Sequence, residues 1–379
     1  MNSKMFEHII TSGSSKNLLL VTNKLEERPR GGRQLLCKLN HDLLKEIYGS
    51  RLVLYELSRK NISNVKKISN ALFGYIDGIN NEVIIDILSI IKNIESTQVI
   101  VDGSNLGTLV KFIKQSHPEV EIVTFFHNVE ARFFLGALRQ YKTFRAFAVL
   151  LVNYFAEKNA VKFSDKLICL SERDSEVLKC VYGRSATHVS AIALNDKRPI
   201  GFSINPSLSI SNFALFVGGD FYANRAGIIW FVKQVVPFID IKICIVGRGF
   251  EDLQKSLEVQ HKVQVIGEVA SLVPWYQDAH FVIAPIFDGS GMKTKVAEAL
   301  MFGKKIIGTS EAFSGYADLT EQAGWECKTA NDFINAIKSA QMLPLLSFDP
   351  ELRSIYEKKY SFSAARKRMM QILNQDSIL

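Results

Sequence analysis

The apolar positions of the chain fall into two series of short runs. Leu18–Thr22 (LLLVT), Leu52–Leu57 (LVLYEL), Gln98–Asp102 (QVIVD), Glu121–Phe126 (EIVTFF) and Lys166–Leu170 (KLICL) are of strand length, with helical periodicity between several of them. Continuous apolar strands alternating with helices predict a parallel sheet covered on both faces. The pattern then restarts with Phe213–Gly218, Ile241–Gly247, Lys262–Gly267, His280–Pro285 and Lys305–Thr309. Two doubly wound α/β units in succession are the simplest account. Between the series, Leu194–Asn212 (LNDKRPIGFSINPSLSISN) lacks periodicity and is rich in Ser, Asn and Pro, as an exposed linker is. The boundary is placed near residue 205, giving domains 1–205 and 206–379, each of ordinary size for a chain of 379 residues. In the tail, residues 360–379, Ser361 and Ser363 are candidate caps ahead of a basic helical pattern, AARKRMMQIL, that could pack back on the first domain.

Composition narrows the classes. The longest apolar run, Ala146–Phe155, contains Asn153 and falls far short of the ~20 residues that cross a bilayer. Glu7 and His8 stand where a signal peptide would carry its apolar core, so secretion is not expected. Five scattered cysteines, never in a CxxC pair, read as buried thiols of a reducing cytosol, and the expected location is cytoplasmic. The net charge of +8 is uneven: residues 1–205 hold 28 Lys+Arg against 20 Asp+Glu, whereas residues 206–379 hold 18 of each. A basic first half attracts phosphates, on a phosphorylated substrate, an anionic membrane or nucleic acid, or it is simply a basic soluble surface. No nucleic-acid module is recognisable, so nucleic acid is not an expected partner.

Ligands of open α/β sheets bind at the carboxyl ends of the strands, so two such units direct attention to the cleft between them. After the run His280–Pro285 comes DGSGMKTKVAEAL (288–300). Its glycines allow close approach of a ligand, and the helix that follows offers free N–H groups and two lysines, Lys293 and Lys295, to a negative charge. Glu298, three residues after Lys295, projects on the same side and suits ribose hydroxyls; the alternative is a Gly-rich turn with a solvated Lys/Glu pair. GRG (Gly247, Arg248, Gly249) and GG (Gly218, Gly219) follow two other strands of the second unit, which together suggest a nucleotide lying across it. Neither G-x-G-x-x-G nor G-x-x-x-x-G-K-[ST] occurs. In the first unit, RGGR brings Gly31, Gly32 and Arg33 to a helix start that could face a phosphate, or form a plain turn. His127 and Asn128 follow the fourth strand; a lone histidine is usually structural, but one at a strand end facing a cleft is a better functional candidate than one on a core face. Residues 131–158 interleave Arg132, Arg139, Lys142 and Arg145 with Phe133, Phe134, Leu138, Tyr141, Phe144 and Phe147, and either lie on an anionic membrane surface or pack into the first domain.

FVGGDFYANRAGIIWFVKQVVP (216–237), ICIVGRG and VQVIGEVASLVPWYQDAHFVIAPIFDGSGMKTKVAEALMFGKKIIGTSEAFSG (263–315), with RGGR, HNVE and AEKNAVKFSDKLICLSERD (156–174), resemble the retaining GT-B glycosyltransferases of family 4, also called group 1. The likeness covers nearly the whole chain and is weakest before residue 17 and over 58–95. It implies two Rossmann-like domains facing across a cleft, the second holding a nucleotide-sugar donor. It further implies transfer of the sugar, with retention, to an acceptor hydroxyl. Glu298 matches the second glutamate of the family's E-x7-E signature and would hold the ribose. The first falls at Ser290, a departure that shifts sugar contacts to the backbone of Gly291 and Met292. The family's phosphate-binding arginine falls at Gly219 and its lysine close to Asn224 and Arg225, which leaves Arg225 and Lys295 for the diphosphate. His127 matches the histidine directed at the donor sugar. Without an Asp-x-Asp pair, no metal or other cofactor is expected, and fixed cations and helix dipoles would stabilise the leaving group. The positive charge of the first domain and the basic, aromatic residues after His127 suggest a lipid-linked or phosphorylated acceptor at the inner membrane face, and a lipid-linked or glycan acceptor would suit a bacterial O-antigen, capsule or similar surface polysaccharide. The rivals are a nucleotide-sugar epimerase of the same architecture and an inactive scaffold.

Overall fold

Among the described residues every pairing between strands in the computed structural model is parallel, and these strands form two six-stranded sheets. The structure describes residues 17–27, 29, 31–58, 70, 74–198, 212–259, 261–289, 291–343 and 348–374. The first sheet comprises β1 (Leu18–Asn23), β2 (Leu52–Leu57), β3 (Gln98–Asp102), β4 (Glu121–Phe125), β5 (Lys166–Cys169) and β6 (His188–Val189), in the order β2-β1-β3-β4-β5-β6. The second comprises β7 (Phe213–Val217), β8 (Lys242–Val246), β9 (Val263–Gly267), β10 (Phe281–Ala284), β11 (Ile306–Gly308) and β12 (Gly324–Glu326), in the order β12-β11-β10-β7-β8-β9. All ten apolar runs become strands, each ending within about two residues of its expected limits. The two strands that no run announced, β6 and β12, are two and three residues long and stand at sheet edges, too short for any period to show.

The two-residue alternation of each strand sends its side chains to opposite cores. Leu18 and Leu20 of β1 join one core with Leu36 and Leu39 of helix α1 (Gly32–Tyr48). Leu19 and Val21 join another, with Ile84 and Ile87 of α2 (Asn81–Asn93) and Leu109 of α3 (Gly107–Ser116). The helices α4 (Glu130–Tyr141), α5 (Phe144–Phe163) and α6 (Glu172–Tyr182) complete the first unit. In the second, Ile243 and Ile245 of β8 pack with Ile228 and Phe231 of α7 (Tyr222–Gln234), while α8 (Thr294–Met301) covers the other face. Helix α9 (Ala330–Met342) closes the same side as α7, with its Phe333 and Ile337 in that core.

The chain end returns to the first unit. Ser361 caps α10 (Phe362–Ile372), whose Arg366 pairs with Glu46 of α1 at 3.4 Å; Lys166 donates to the Ile372 carbonyl at 2.9 Å. The boundary near residue 205 lies outside the described residues. Beside it, Leu194 N–H donates to the Tyr360 carbonyl and the Tyr356 hydroxyl donates to the Leu194 carbonyl. Four of the five cysteines are buried; Cys180 is exposed, which corrects the expectation of five buried thiols. It stands away from the buried face of α6, made by Asp174, Ser175 and Leu178. Among the described residues, no helix is long and apolar enough to cross a membrane.

Candidate functional site in the cleft

Parallel strands place all their carboxyl ends on one edge of each sheet, and there the two domains touch. After β10, Gly289 (φ +133°) and Gly291 (φ +66°) adopt backbone conformations that side chains resist. A Cβ on Gly291 would lie 2.9 Å from the His127 carbonyl oxygen and 3.5 Å from Asn128 Cβ. The glycine therefore lets the loop of the second domain meet the His127–Asn128 turn of the first.

His127 is buried two residues past β4, and its Nε2 lies 2.7 Å from Asp102 Oδ1 at the end of the adjacent β3. Burial alone would raise the Asp102 pKa. The charge of His127 and hydrogen bonds from His127, Asn40 (2.8 Å) and Thr22 (2.8 Å) outweigh it and hold the carboxyl at about 2. His127 Nδ1 is buried with no hydrogen-bond partner among the described residues. Cys37, Asp102 and His127 bring three potential metal ligands within 4.8 Å of one another. Both Asp102 oxygens already accept hydrogen bonds and burial pushes the Cys37 thiol up, so the trio is a hydrogen-bonded cluster holding the histidine ring rather than a preformed coordination shell.

Glu130 opens α4, and burial pushes its carboxyl up to about 7, opposed by Arg33. The free amides of that helix start are already occupied: Glu157 accepts from Glu130 N (2.9 Å) and Ala131 N (3.1 Å), and from Ser104 and Tyr182. Gly31 and Gly32 lie exposed at the start of α1. The Arg33 guanidinium turns to Asp77 (2.8 Å) and Asn105 (2.7 Å), so its charge is compensated within its own domain rather than presented to a phosphate.

In the second domain the loops after β7, β8 and β9 are stitched together by Gly218 N to the Val246 carbonyl, Asp220 N to the Arg248 carbonyl and Gly247 N to the Gly267 carbonyl. A Cβ on Gly247 would meet the Gly218 carbonyl oxygen at 1.8 Å, so only glycine allows this approach. Gly219 is open to solvent. Lys295 is buried below these loops, with Nζ 3.0 Å from Asn224 Oδ1 and 4.5 Å from the centre of the Phe216 ring. Burial, helped by the neighbouring charge of Lys293, lowers its pKa to about 7. Arg225 is exposed and paired with Asp220, and Arg248 is exposed at the rim.

Glu298 does not pair with Lys295. It is buried one turn on, accepting from Lys197 at 2.8 Å and from the Tyr276 hydroxyl at 3.1 Å. Neither of the pair is solvated, because α8 is buried along its length. Met292 also faces inward, with its sulfur 3.5 Å from Ile192 N. Ser290 lies outside the described residues.

Residues 211–341 match the family model described as Glycosyl transferases group 1. No curated protein matches the chain. Solved structures do. Sucrose-phosphate synthase from Thermosynechococcus elongatus superposes with a TM-score of 0.73 at 15% identity, over 95% of this chain and 99% of that one. Anabaena HepE in complex with UDP gives 0.64 at 14%, over 95% and 100%. The lipopolysaccharide outer core galactosyltransferase WaaB, in its apo form, gives 0.62 at 12%, over 95% and 100%. The fold is GT-B. The matched domain and the fold together support a glycosyltransferase.

Several cleft residues of this GT-B chain escape sequence reasoning. Asp102 ends an ordinary apolar run, and only the pairing of β3 with β4 sets it beside His127. Asn224, which the resemblance placed only near the position of the family's phosphate-binding lysine, is distinguished in the fold by its bond to Lys295. Glu311 follows β11 and gathers Arg132 of α4, Arg173 of α6 and Lys293 from three distant stretches. No local motif marks that convergence.

Proposed function

We propose that the chain is a retaining glycosyltransferase that moves a sugar from a nucleotide diphosphate donor to a hydroxyl of a glycan or lipid-linked acceptor, in the assembly of a bacterial surface polysaccharide such as O-antigen or capsule. The observation that carries the reading is the meeting of the Gly291 loop with His127 across the cleft, in a chain whose donor-side domain matches the glycosyltransferase model. Similar structures hold UDP and UDP-glucose, and WaaB is a galactosyltransferase of the lipopolysaccharide outer core.

On this reading the diphosphate lies at the carboxyl edge of the second sheet, over Gly219, Gly247 and Arg248. The backbone N–H groups of Gly291 and Met292, Lys295 and Arg225 face its charge, which suits a preorganised anion site, whereas Lys293 turns to Glu311. Arg225 would exchange Asp220 for phosphate. Glu298 takes the ribose and His127 positions the sugar through Nδ1, with Asn128 beside it. On this reading no carboxylate serves as nucleophile in the manner of a retaining glycosidase, and the departing phosphate serves as base for the acceptor hydroxyl on the same face. Fixed cations stabilise the leaving group without a metal.

Peripheral association with the inner membrane face belongs to the same proposal. On α5, Phe144 (84% exposed), Phe147, Leu151 and Phe155 (58%) recur at spacings of three and four residues, beside the exposed Arg139, Lys142 and Arg145. Such a stripe matches the boundary of an anionic bilayer.

A thermal-shift screen against nucleotide sugars tests the donor reading. A bound donor at 100 times its dissociation constant adds about 2.7 kcal/mol of stability. A flat melting temperature across all nucleotides would sink the assignment.

A further inference from the structure

At the lip of the cleft, Glu311 holds charges from both domains. Its Oε2 accepts from Arg173 Nη2 at 2.6 Å and from Arg132 Nη2 at 3.3 Å, and its Oε1 from Lys293 Nζ at 3.0 Å. Arg132 and Arg173 stand on α4 and α6 of the first domain; Lys293 and Glu311 belong to the second. Lys293 also donates to the Gly291 carbonyl at 2.9 Å, which ties the group to the loop that meets His127. Three cations thus share one carboxylate. The charge of Asp174, buried on α6 and accepting from Ser171 at 2.8 Å, also reaches Lys293 and Arg173. Glu311 is nearly buried, whereas Arg132 and Arg173 keep about a third of their side-chain surface exposed (33% and 31%), so the guanidinium groups remain reachable.

Guanidinium groups present planar forks that fit the oxygens of a phosphate as well as those of a carboxylate. Two reachable guanidinium groups converging on one point between the domains are suited to a dianion. We infer that Arg132, Arg173 and Lys293 form a seat for a phosphate ester of the acceptor, and that Glu311 fills the seat when no acceptor is bound. The inference rests on the glycosyltransferase reading, since it names the acceptor class for that cleft. In the liganded state phosphate oxygens replace the Glu311 carboxylate on the two arginines, and the acceptor hydroxyl is anchored from a point adjoining the His127 turn. Such a seat selects acceptors that carry a phosphate, whether as a lipid phosphate or as a soluble sugar phosphate.

Inorganic phosphate is the first probe, titrated calorimetrically into the full chain saturated with UDP at low salt. An internal competitor reduces apparent affinity by the fraction of time it occupies the site. Glu311→Gln should therefore bind phosphate about tenfold more tightly than the unmodified chain. Arg173→Gln or Arg132→Gln in that background should remove the gain. If Glu311 serves only to latch the domains together, Glu311→Gln leaves phosphate affinity unchanged, and that result overturns the proposal. UDP affinity, measured separately, reports on folding and on the donor site in every variant. A chain that binds phosphate in this pattern but never binds UDP would sink the donor reading and leave the seat standing. A long-chain alkyl phosphate in detergent and a hexose phosphate then compete for the seat. Stronger competition by the former identifies a lipid source, by the latter a soluble one; competition by neither rejects the acceptor role.

Discussion

Asp102 Oδ1 lies 2.7 Å from His127 Nε2, buried between the ends of β3 and β4. An ionised carboxylate only accepts hydrogen bonds, so Nε2 carries a proton toward it and Nδ1 remains for a ligand. Asp102→Asn can offer an N–H to the same nitrogen and reverse that arrangement. Reversal removes the Nδ1 hydrogen bond to the sugar, worth about 0.5–1.5 kcal/mol, or up to about tenfold. We expect kcat to fall by that order with the KM for donor little changed. Unaltered kcat would mean that the pair is structural only.

The same carboxyl sets an acid limit on stability. Its pKa is about 2 in the fold against an ordinary 3.8, so the folded state is favoured wherever Asp102 is ionised. That contribution is complete above pH 4 and is lost as the pH falls toward 2. In acid titrations followed by circular dichroism, Asp102→Asn should lack this part of the stability loss. If the variant shows the same fall between pH 4 and 2, other carboxyls set the limit.

If the diphosphate lies beside it as proposed, Lys295 should make nucleotide affinity depend on pH near neutrality. Its pKa is lowered to about 7, first by burial and then by Lys293. A diphosphate beside it favours the ammonium form. Above pH 7, binding must therefore take up a proton, and affinity should weaken by up to about tenfold per pH unit. Calorimetry in buffers of different ionisation enthalpy measures the uptake directly. Lys295→Met should bind weakly at all pH values and without this proton uptake; a wild-type pH profile in that variant would place the diphosphate elsewhere.

Much of the fold was legible because buried parallel strands must be apolar on both faces, as the split of Leu18 and Leu20 from Leu19 and Val21 shows. The site was legible where backbone geometry demands a residue type, as at Gly291 and Gly247. It was not legible where function depends on a partner. Arg33 and Arg225 read as positive charges in the sequence, yet Asp77 and Asp220 take up those charges in the fold. Lys295 and Glu298 read as a pair by helical spacing, yet each is drawn to a different neighbour, Asn224 and Lys197. Spacing along a helix sets direction, whereas tertiary packing chooses the partner.

On the proposed donor site, Glu298 should affect both stability and nucleotide binding. Glu298→Ala would leave the Tyr276 hydroxyl buried without its acceptor and Lys197 without its partner. An unmatched buried polar group costs about 1–3 kcal/mol, so the melting temperature should drop. Glu298→Gln keeps an acceptor for Tyr276 and should fold nearly normally, while losing the charge that suits ribose hydroxyls. UDP binding weakened in both variants supports the ribose contact. Weakening confined to the alanine variant would assign Glu298 to its contacts with Tyr276 and Lys197 alone.

The stripe on α5 predicts where the protein meets lipid. Its opposite face, Asn153, Ala156, Glu157, Ala160 and Val161, is buried against the first domain, which leaves Phe144, Phe147, Leu151 and Phe155 on the outside together with Lys158 and Lys162. Burial of aromatic rings at a bilayer boundary and attraction of cations to anionic lipid act together, and each basic residue near the surface contributes about 1 kcal/mol. Co-sedimentation with vesicles containing anionic lipid at low salt should capture the chain, and purely zwitterionic vesicles should capture less. Phe144→Ser with Phe155→Ser should weaken binding to both kinds of vesicle, whereas Arg139→Gln with Arg145→Gln should weaken only the anionic case and flatten its dependence on salt. The two effects separate because apolar burial is indifferent to ionic strength while the charge term is screened within about 10 Å at 0.1 M salt. If the unmodified chain stays in the supernatant with anionic vesicles, the stripe serves a protein partner or a second copy of the chain, and the acceptor is reached from solution.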